Sequence, residues 1–271
     1  VGKIILRMML YLYAVCSLYP IVWMVFYSLK NNDEIFISNP FGFPTHFRVE
    51  NYRTALTAYN VPVYFKNSVI VTVVSVFFST VFALFFAYAV SRFFFRLKKY
   101  LRTYLLLGMF VPVQVLMIPL VTLVRDLGIA NTRMAVIVPY IAFNLSFATM
   151  VFIGFFNTIP IELEEAACID GASIYRCFGK VMVPMVKPAI STVIIFNFLS
   201  IWNEFPMAQI LLSKENLKTL PLGLMFFQGS FTTDWGAMGA AMVIASLPTV
   251  LIYIFFSEQV EKAMTVGAAV K

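Results

Sequence analysis

The sequence predicts an all-α integral membrane protein with six transmembrane helices and both termini on the cytoplasmic side. Three observations carry that class. The 271 residues are 61% hydrophobic and only 12% charged, whereas a soluble domain carries about 25% charged residues. Six apolar runs are long enough to cross a bilayer, which takes about 20 residues each. Those runs are continuous rather than alternating, so they read as helices and not as barrel strands.

The spans fall at about 8–29, 67–91, 103–124, 134–157, 188–212 and 236–257. Lys3 and Arg7 ahead of the first run resemble the start of a signal peptide. The run is too long for that, and it lacks a small-residue cleavage site, so it reads as an uncleaved span. Orientation follows the basic residues. Arg92, Arg96, Lys98, Lys99 and Arg102 crowd the short loop after span two. Placing that loop in the cytoplasm puts both termini inside, with twelve Lys and Arg facing the cytoplasm against eight outside. The outer loops are then 30–66, 125–133 and 213–235, and the inner ones 92–102 and 158–187. The first outer loop holds NPFGFPTHFRVENYRTAL, a turn rich in Pro and Gly followed by a short amphipathic helix at the outer interface.

Composition also excludes classes. The net charge of +7 comes with no aromatic-interleaved basic patch and no nucleic-acid motif, so it reads as loop charge. Cys16, Cys168 and Cys177 have no metal spacing and read as small apolar packing residues. A single histidine, His46, argues against a histidine metal site or a Ser-His-Asp triad.

One stretch breaks the apolar pattern: EEAACIDGASIYRCFGKVMVPMVKP at 164–188. Pro160 suits the first position of a helix. Glu162, Glu164 and Glu165 follow in its first turns, where the helix dipole favours negative charge. Gly171 ends that helix in a left-handed conformation. Ser173 is the N-cap of a second helix, with Ile174, Phe178, Val181 and Met182 on one apolar face and Arg176 and Lys180 on another. Pro184 stops it. The stretch is therefore a helix, a tight turn and a helix at the cytoplasmic surface. It serves either to cap the bundle or to dock another protein. Ala166 and Ala167 permit close approach by a partner, and a mere connection needs far fewer residues.

These residues resemble the EAA signature of binding-protein-dependent permeases, the membrane subunits of ABC importers. The signature reads EAA, three residues, Gly, nine residues, Ile-x-Leu-Pro. Here Glu165-Ala166-Ala167, Gly171, Val181, Val183 and Pro184 stand at those places, with Val for Ile and Val for Leu. The likeness runs along most of the chain, through the ENY segment at 50–52, Asp126 to Thr132, Trp202-Asn203-Glu204, Asp234-Trp235-Gly236 with Pro248, and the tail at 266–271. Together these are similar to the smaller permease of maltose-type carbohydrate-uptake systems. The resemblance implies a type I ABC importer permease fold forming half of a translocation pathway in a bacterial or archaeal plasma membrane. It implies a cytoplasmic coupling helix whose contact with an ATPase dimer is made by Glu165, Ala166, Ala167, Asp170, Gly171 and Pro184. It implies a second, paralogous permease, an extracytoplasmic solute-binding protein docking on the outer loops, and a carbohydrate substrate. No cofactor belongs to this chain, because ATP and Mg are bound by the partner. Gly179-Lys180 mimics the end of a P-loop, but Val181 stands where Ser or Thr is required and Ile174 where the leading Gly is required.

Within the spans the one ionisable residue is Glu204. An intramembrane carboxylate is a functional candidate by default. It either lines the pathway or pairs with Asn203 or Gln209. Gln114, Asn197 and Asn203 either line the pathway too or bond between helices. Pro112, Pro119, Pro139 and Pro248 interrupt spans three, four and six. Two other classes fit less well. An ion-coupled secondary transporter usually carries several intramembrane charges or repeats, and a membrane enzyme needs a nucleophile or metal constellation that is missing here. A permease of the same family for another solute, such as a polyamine, stays open.

Overall fold

The computed structural model describes residues 2–229 and 233–269, with side chains over 3–229 and 233–256. Among the described residues all regular structure is helical, apart from one bridge between Gln228 and Thr233. The helices are α1 (Gly2–Ser28), α2 (Glu50–Thr57), α3 (Val61–Arg92), α4 (Lys98–Leu107), α5 (Val113–Asp126), α6 (Met134–Thr158), α7 (Glu162–Ile169), α8 (Ile174–Cys177), α9 (Val183–Met185), α10 (Lys187–Trp202), α11 (Pro206–Leu211), α12 (Leu220–Gly223) and α13 (Trp235–Ala269). The tail at 266–271 lies outside the residues whose side chains are described.

Four of these are long and apolar enough to cross a membrane: Lys3–Ser28, Val61–Arg92, Met134–Thr158 and Trp235–Phe256. Pro139 and Pro248 lie inside unbroken helices, so they do not interrupt spans four and six. Nor does Pro119 break α5.

The runs predicted as spans three and five are not single helices. The third is α4 and α5 meeting at 106°. Between them lie a short 3-10 turn at Gly108–Phe110 and an extended Val111. The cause is local: the ring of Pro112 bars α conformation at the residue before it, and Val111 takes φ −83°, ψ 114°. The fifth stops at Trp202 and resumes at Pro206. There Phe205 precedes the proline and leaves the helical region, at φ −126°, ψ −49°.

The chain forms two compact units, Val1–Lys66 with Thr219–Pro248, and Asn67–Lys218 with Thr249–Lys271. In the first, Lys30 is buried and its ammonium donates to the carbonyls of Asn39 (2.6 Å) and Gly42 (2.7 Å). Burial lowers its pKa, and the nearby Glu34 charge acts in the other direction. Glu34 accepts from Thr45 N–H at 2.6 Å. Burial pushes its carboxyl up, but the Thr45 and Asn39 donors and the Lys30 charge outweigh this and hold it below the usual range. Asn51 donates to the carbonyls of Ser28 and Lys30, both at 2.9 Å. These bonds tie an otherwise irregular loop to the end of α1. Hydrogen bonds from a charged group contribute about 1.5–3 kcal/mol. Lys30→Met is therefore expected to destabilise the loop by roughly 2–3 kcal/mol, read as a lower Tm and faster proteolysis within 30–50.

In the second unit the core joins α3, α6 and α10. Small residues such as Ala83, Ala87, Ala148 and Ala189 line it, and Phe152, Phe156 and Met182 fill it. Lipid is as apolar as leucine, so membrane helices associate through close packing rather than hydrophobic expulsion, and small residues permit it. Many other large apolar side chains of this unit are exposed, Phe77 and Phe85 among them.

Candidate functional site

The turn at 158–187 is built from its ends inward. Ile159, ahead of Pro160, is extended and closes α6. Pro160 is thus not the first residue of the next helix, which starts at Glu162. Glu162, Glu164 and Glu165 occupy its first turn as expected. Gly171 takes φ +77°. Its N–H donates to Cys168 O (3.0 Å), and Ala172 N–H donates to Ala167 O (2.9 Å), a Schellman closure of α7. Ser173 accepts from Arg176 N–H and caps α8.

Beyond α8 the register changes. A π turn at Phe178–Met182 widens the helix and runs straight into α9, so Pro184 sits within helical backbone and does not stop it. The break comes at Val186, where the chain bends 73° into α10. The wider turn rotates the buried face: Cys177 and Met182 are buried, while Ile174 is exposed. Cys16 and Cys168 are also exposed and do not pack.

The three first-turn carboxylates have different fates. Glu164 forms an ion pair with Arg92 at the end of α3, with both side chains 12% exposed. It also accepts from Tyr88 Oη at 2.8 Å. Arg92 donates in turn to Ile159 O at 2.8 Å. The base of the turn is therefore clamped. Glu165, Ala166, Asp170 and Gly171 face outward, and Ala167 is half-buried against the core. Ile169 and Tyr175 stand exposed beside them at 87% and 84%. The result is a stiff projection with a bare tip that mixes charge with apolar contact area.

A second feature lies where the two broken spans meet. A cavity of about 230 Å³ is lined by Gln114, Tyr140, Asn144, Ser200 and Glu204 among others. A neighbouring one of about 360 Å³ is lined by Gly108, Phe147, Phe196 and Asn197 and shares Val113, Phe143, Asn144 and Ser200 with the first. Glu204 accepts from Tyr140 O–H, from Met207 N–H (2.7 Å) and from Ala208 N–H (3.1 Å). It thus satisfies two first-turn N–H groups of α11. Asn203 turns back to donate to Leu199 O and is exposed. Gln114, Asn197 and Glu204 come together; Asn203 does not join them. Sequence reasoning passed over Tyr140, Asn144 and the Arg92–Glu164 pair. The available signals were a tyrosine beside Pro139 inside an apolar span and a glutamate doubled with Glu165.

In the first unit a polar cavity of about 630 Å³ is lined by Asp33, Arg48, Glu50, Asn51, Tyr59 and Asp234 among others.

Residues 79–266 match the family described as binding-protein-dependent transport system inner membrane component. The chain belongs to that family. The permease is 35% identical over 261 residues to the diacetylchitobiose uptake system permease protein NgcG of Streptomyces coelicolor, spanning 96% of this chain and 86% of that one. It is 30% identical to the trehalose/maltose transport system permease protein MalG of Thermococcus litoralis, over 95% and 93% of the two chains. Its fold is similar to that of a bacterial ABC transporter involved in the import of the acidic polysaccharide alginate, with TM-score 0.85, 24% identity and 95% of each chain covered. The permease is thus an all-helical membrane protein of the ABC importer type, with Glu165 and Ala166 exposed on the projection and Ala167 half-buried against the core.

Proposed function

We propose that the permease forms half of the translocation pathway of an ATP-driven carbohydrate importer, working on oligosaccharides handed over by a solute-binding protein. The observation that carries this reading is the 158–187 projection, clamped at its base and bare at its tip, in a chain related throughout to sugar-uptake permeases. A short capped helix on a rigid base can pass on a displacement that a loose loop would absorb. Glu165, Ala166, Ala167, Asp170 and Gly171 then make the contact with a cytoplasmic ATPase dimer, and Pro184 shapes the helix behind it. ATP and Mg bind to that partner, and this chain is not itself an enzyme.

The same reading makes α4–α5 one bent span and α10 with α11, interrupted between Trp202 and Pro206, another, giving one membrane domain of six spans with both termini in the cytoplasm. Six spans make half a pathway, so a second, paralogous permease completes it. The loops at 30–66, 125–133 and 213–235 receive the binding protein, with the polar cavity around Asp33, Arg48 and Glu50 as part of that surface. Gln114, Asn197 and Glu204 line the pathway.

The test is ATP hydrolysis by the assembled importer in vesicles, against a panel of solute-binding proteins with and without their ligands. Stimulation by binding proteins loaded with oligosaccharide is the expected result. Stimulation only by those loaded with amino acids or polyamines would falsify the carbohydrate assignment.

A further inference from the structure

From the groove between the two broken spans we infer that this subunit contributes a binding site for an uncharged oligosaccharide, and that it disfavours acidic ones. The inference rests on the carbohydrate reading above and adds the charge class of the cargo.

Non-helical backbone at membrane depth is tolerated only where it is buried in protein or lines a water-filled cavity. Interrupted helices in transporters gather at the substrate site. Here both interruptions open onto one groove: Gly108 to Val113 on one side, Ser200 to Met207 on the other. At the start of α5 the Val115 N–H donates to Pro112 O, and no N-cap side chain reaches the N–H groups of Val113 and Gln114, two residues that line the groove. They therefore offer donors to the groove. Asn197 adds an independent sign. It is fully buried and its amide donates to Ser79 at 3.0 Å, yet its Oδ1 has no partner although the residue lines the groove. A buried acceptor left unmade costs stability unless water or a ligand fills it. Asn144 Nδ2 is engaged with Tyr140 O, and the residue lines both parts of the groove. Phe143, Phe147 and Phe196 supply flat apolar walls. Donors, acceptors and aromatic faces without formal charge match a ring that carries hydroxyls on its rim and C–H groups on its faces.

Charge decides the class. Among the described residues no Lys, Arg or His lines either part of the groove, and the one carboxylic acid there is Glu204. The bonds described to Glu204 come from donors, so its oxygens stand at the groove as acceptors. A uronate carboxylate brought beside it would meet a second acid whose oxygens also accept, with no lining cation among the described residues to offset it. The resemblance in fold to an alginate importer therefore does not extend to the charge of the cargo.

The experiment is direct binding to the complete importer in detergent, using maltotriose, diacetylchitobiose and a trigalacturonate of matching length, for wild type, Glu204→Gln and Asn144→Ala. Glutamine keeps an acceptor for the α11 N–H groups and a partner for the Tyr140 hydroxyl. At least one neutral sugar is expected to bind tenfold or more tightly than the uronate. Asn144→Ala is expected to weaken the neutral sugar about tenfold, and Glu204→Gln to raise relative uronate affinity by a similar factor. Equal binding of uronate and neutral sugars, or a neutral-to-uronate ratio untouched by Glu204→Gln, overturns this inference and leaves the carbohydrate reading standing. Binding of amino acids or polyamines and of no saccharide overturns both.

Discussion

Arg92→Met is expected to loosen the cytoplasmic projection and to destabilise the permease by roughly 3 kcal/mol, because removing one member of a buried ion pair leaves the other charged and unpaired. Arg92 holds Glu164 and also donates to Ile159 O at the close of α6. One side chain thus joins three segments: the end of α3, the end of α6 and the start of α7. In the assembled importer the readout is a lowered Tm with ATP hydrolysis no longer tied to uptake. The double variant Arg92→Met with Glu164→Leu should recover more than half of the lost stability, since a packed apolar pair removes both desolvated charges. Tyr88 then loses its acceptor, so recovery stays incomplete. An Arg92→Met protein as stable as wild type would show that the clamp contributes nothing and that core packing alone holds the turn.

Glu165→Lys is expected to do the opposite: leave the fold intact and abolish assembly with the ATPase. Glu165 is exposed, on the outward face of α7, and substitutions at such positions usually change stability by less than about 0.5 kcal/mol. At a docking interface the same reversal removes a contact and adds repulsion. A loss of about 2 kcal/mol or more, the scale of an interface hot spot, corresponds to roughly thirtyfold weaker binding. Co-purification of the ATPase and coupled uptake should both fall, with Tm unchanged. Undiminished assembly and uptake would sink the proposed role of this helix. Gly171→Val adds a graded test. A Cβ added at the position meets nothing within 4 Å. The left-handed φ of +77° remains unfavourable for it, by about 1–2 kcal/mol. The variant should tilt the tip and reduce coupling without removing the Glu165 charge.

The two glutamates mark the limit of sequence reading. Glu164 and Glu165 are neighbours of the same type, and both fit a helix N-terminus. Only the position of Arg92, 72 residues earlier, decides that one is an anchor and the other a free contact. Glu204 shows the same limit. As the lone charge in an apolar span it was visible at once, and Asn203 and Gln209 were the partners that proximity in sequence offered. Its actual hydroxyl partner is Tyr140, 64 residues away. Spans three and five were legible as apolar runs. Their breaks were only half legible, since Pro112 interrupts and Pro119, Pro139 and Pro248 do not. A proline inside a helix removes one bond that neighbouring helices and polar groups can make good.

By itself the sequence determined what local physics controls. Continuous apolar runs demand helices, Gly171 demands its turn, Ser173 caps the second short helix, and EAA spacing carries the family. Each depends on a few adjacent residues and on the 3.6-residue period. The tertiary structure decided what depends on distant segments meeting. It chose which glutamate is clamped, where two broken spans open onto one groove, and that an unsatisfied Asn197 oxygen lines it. Packing and long-range hydrogen bonds select among local options that the chain leaves equal in energy.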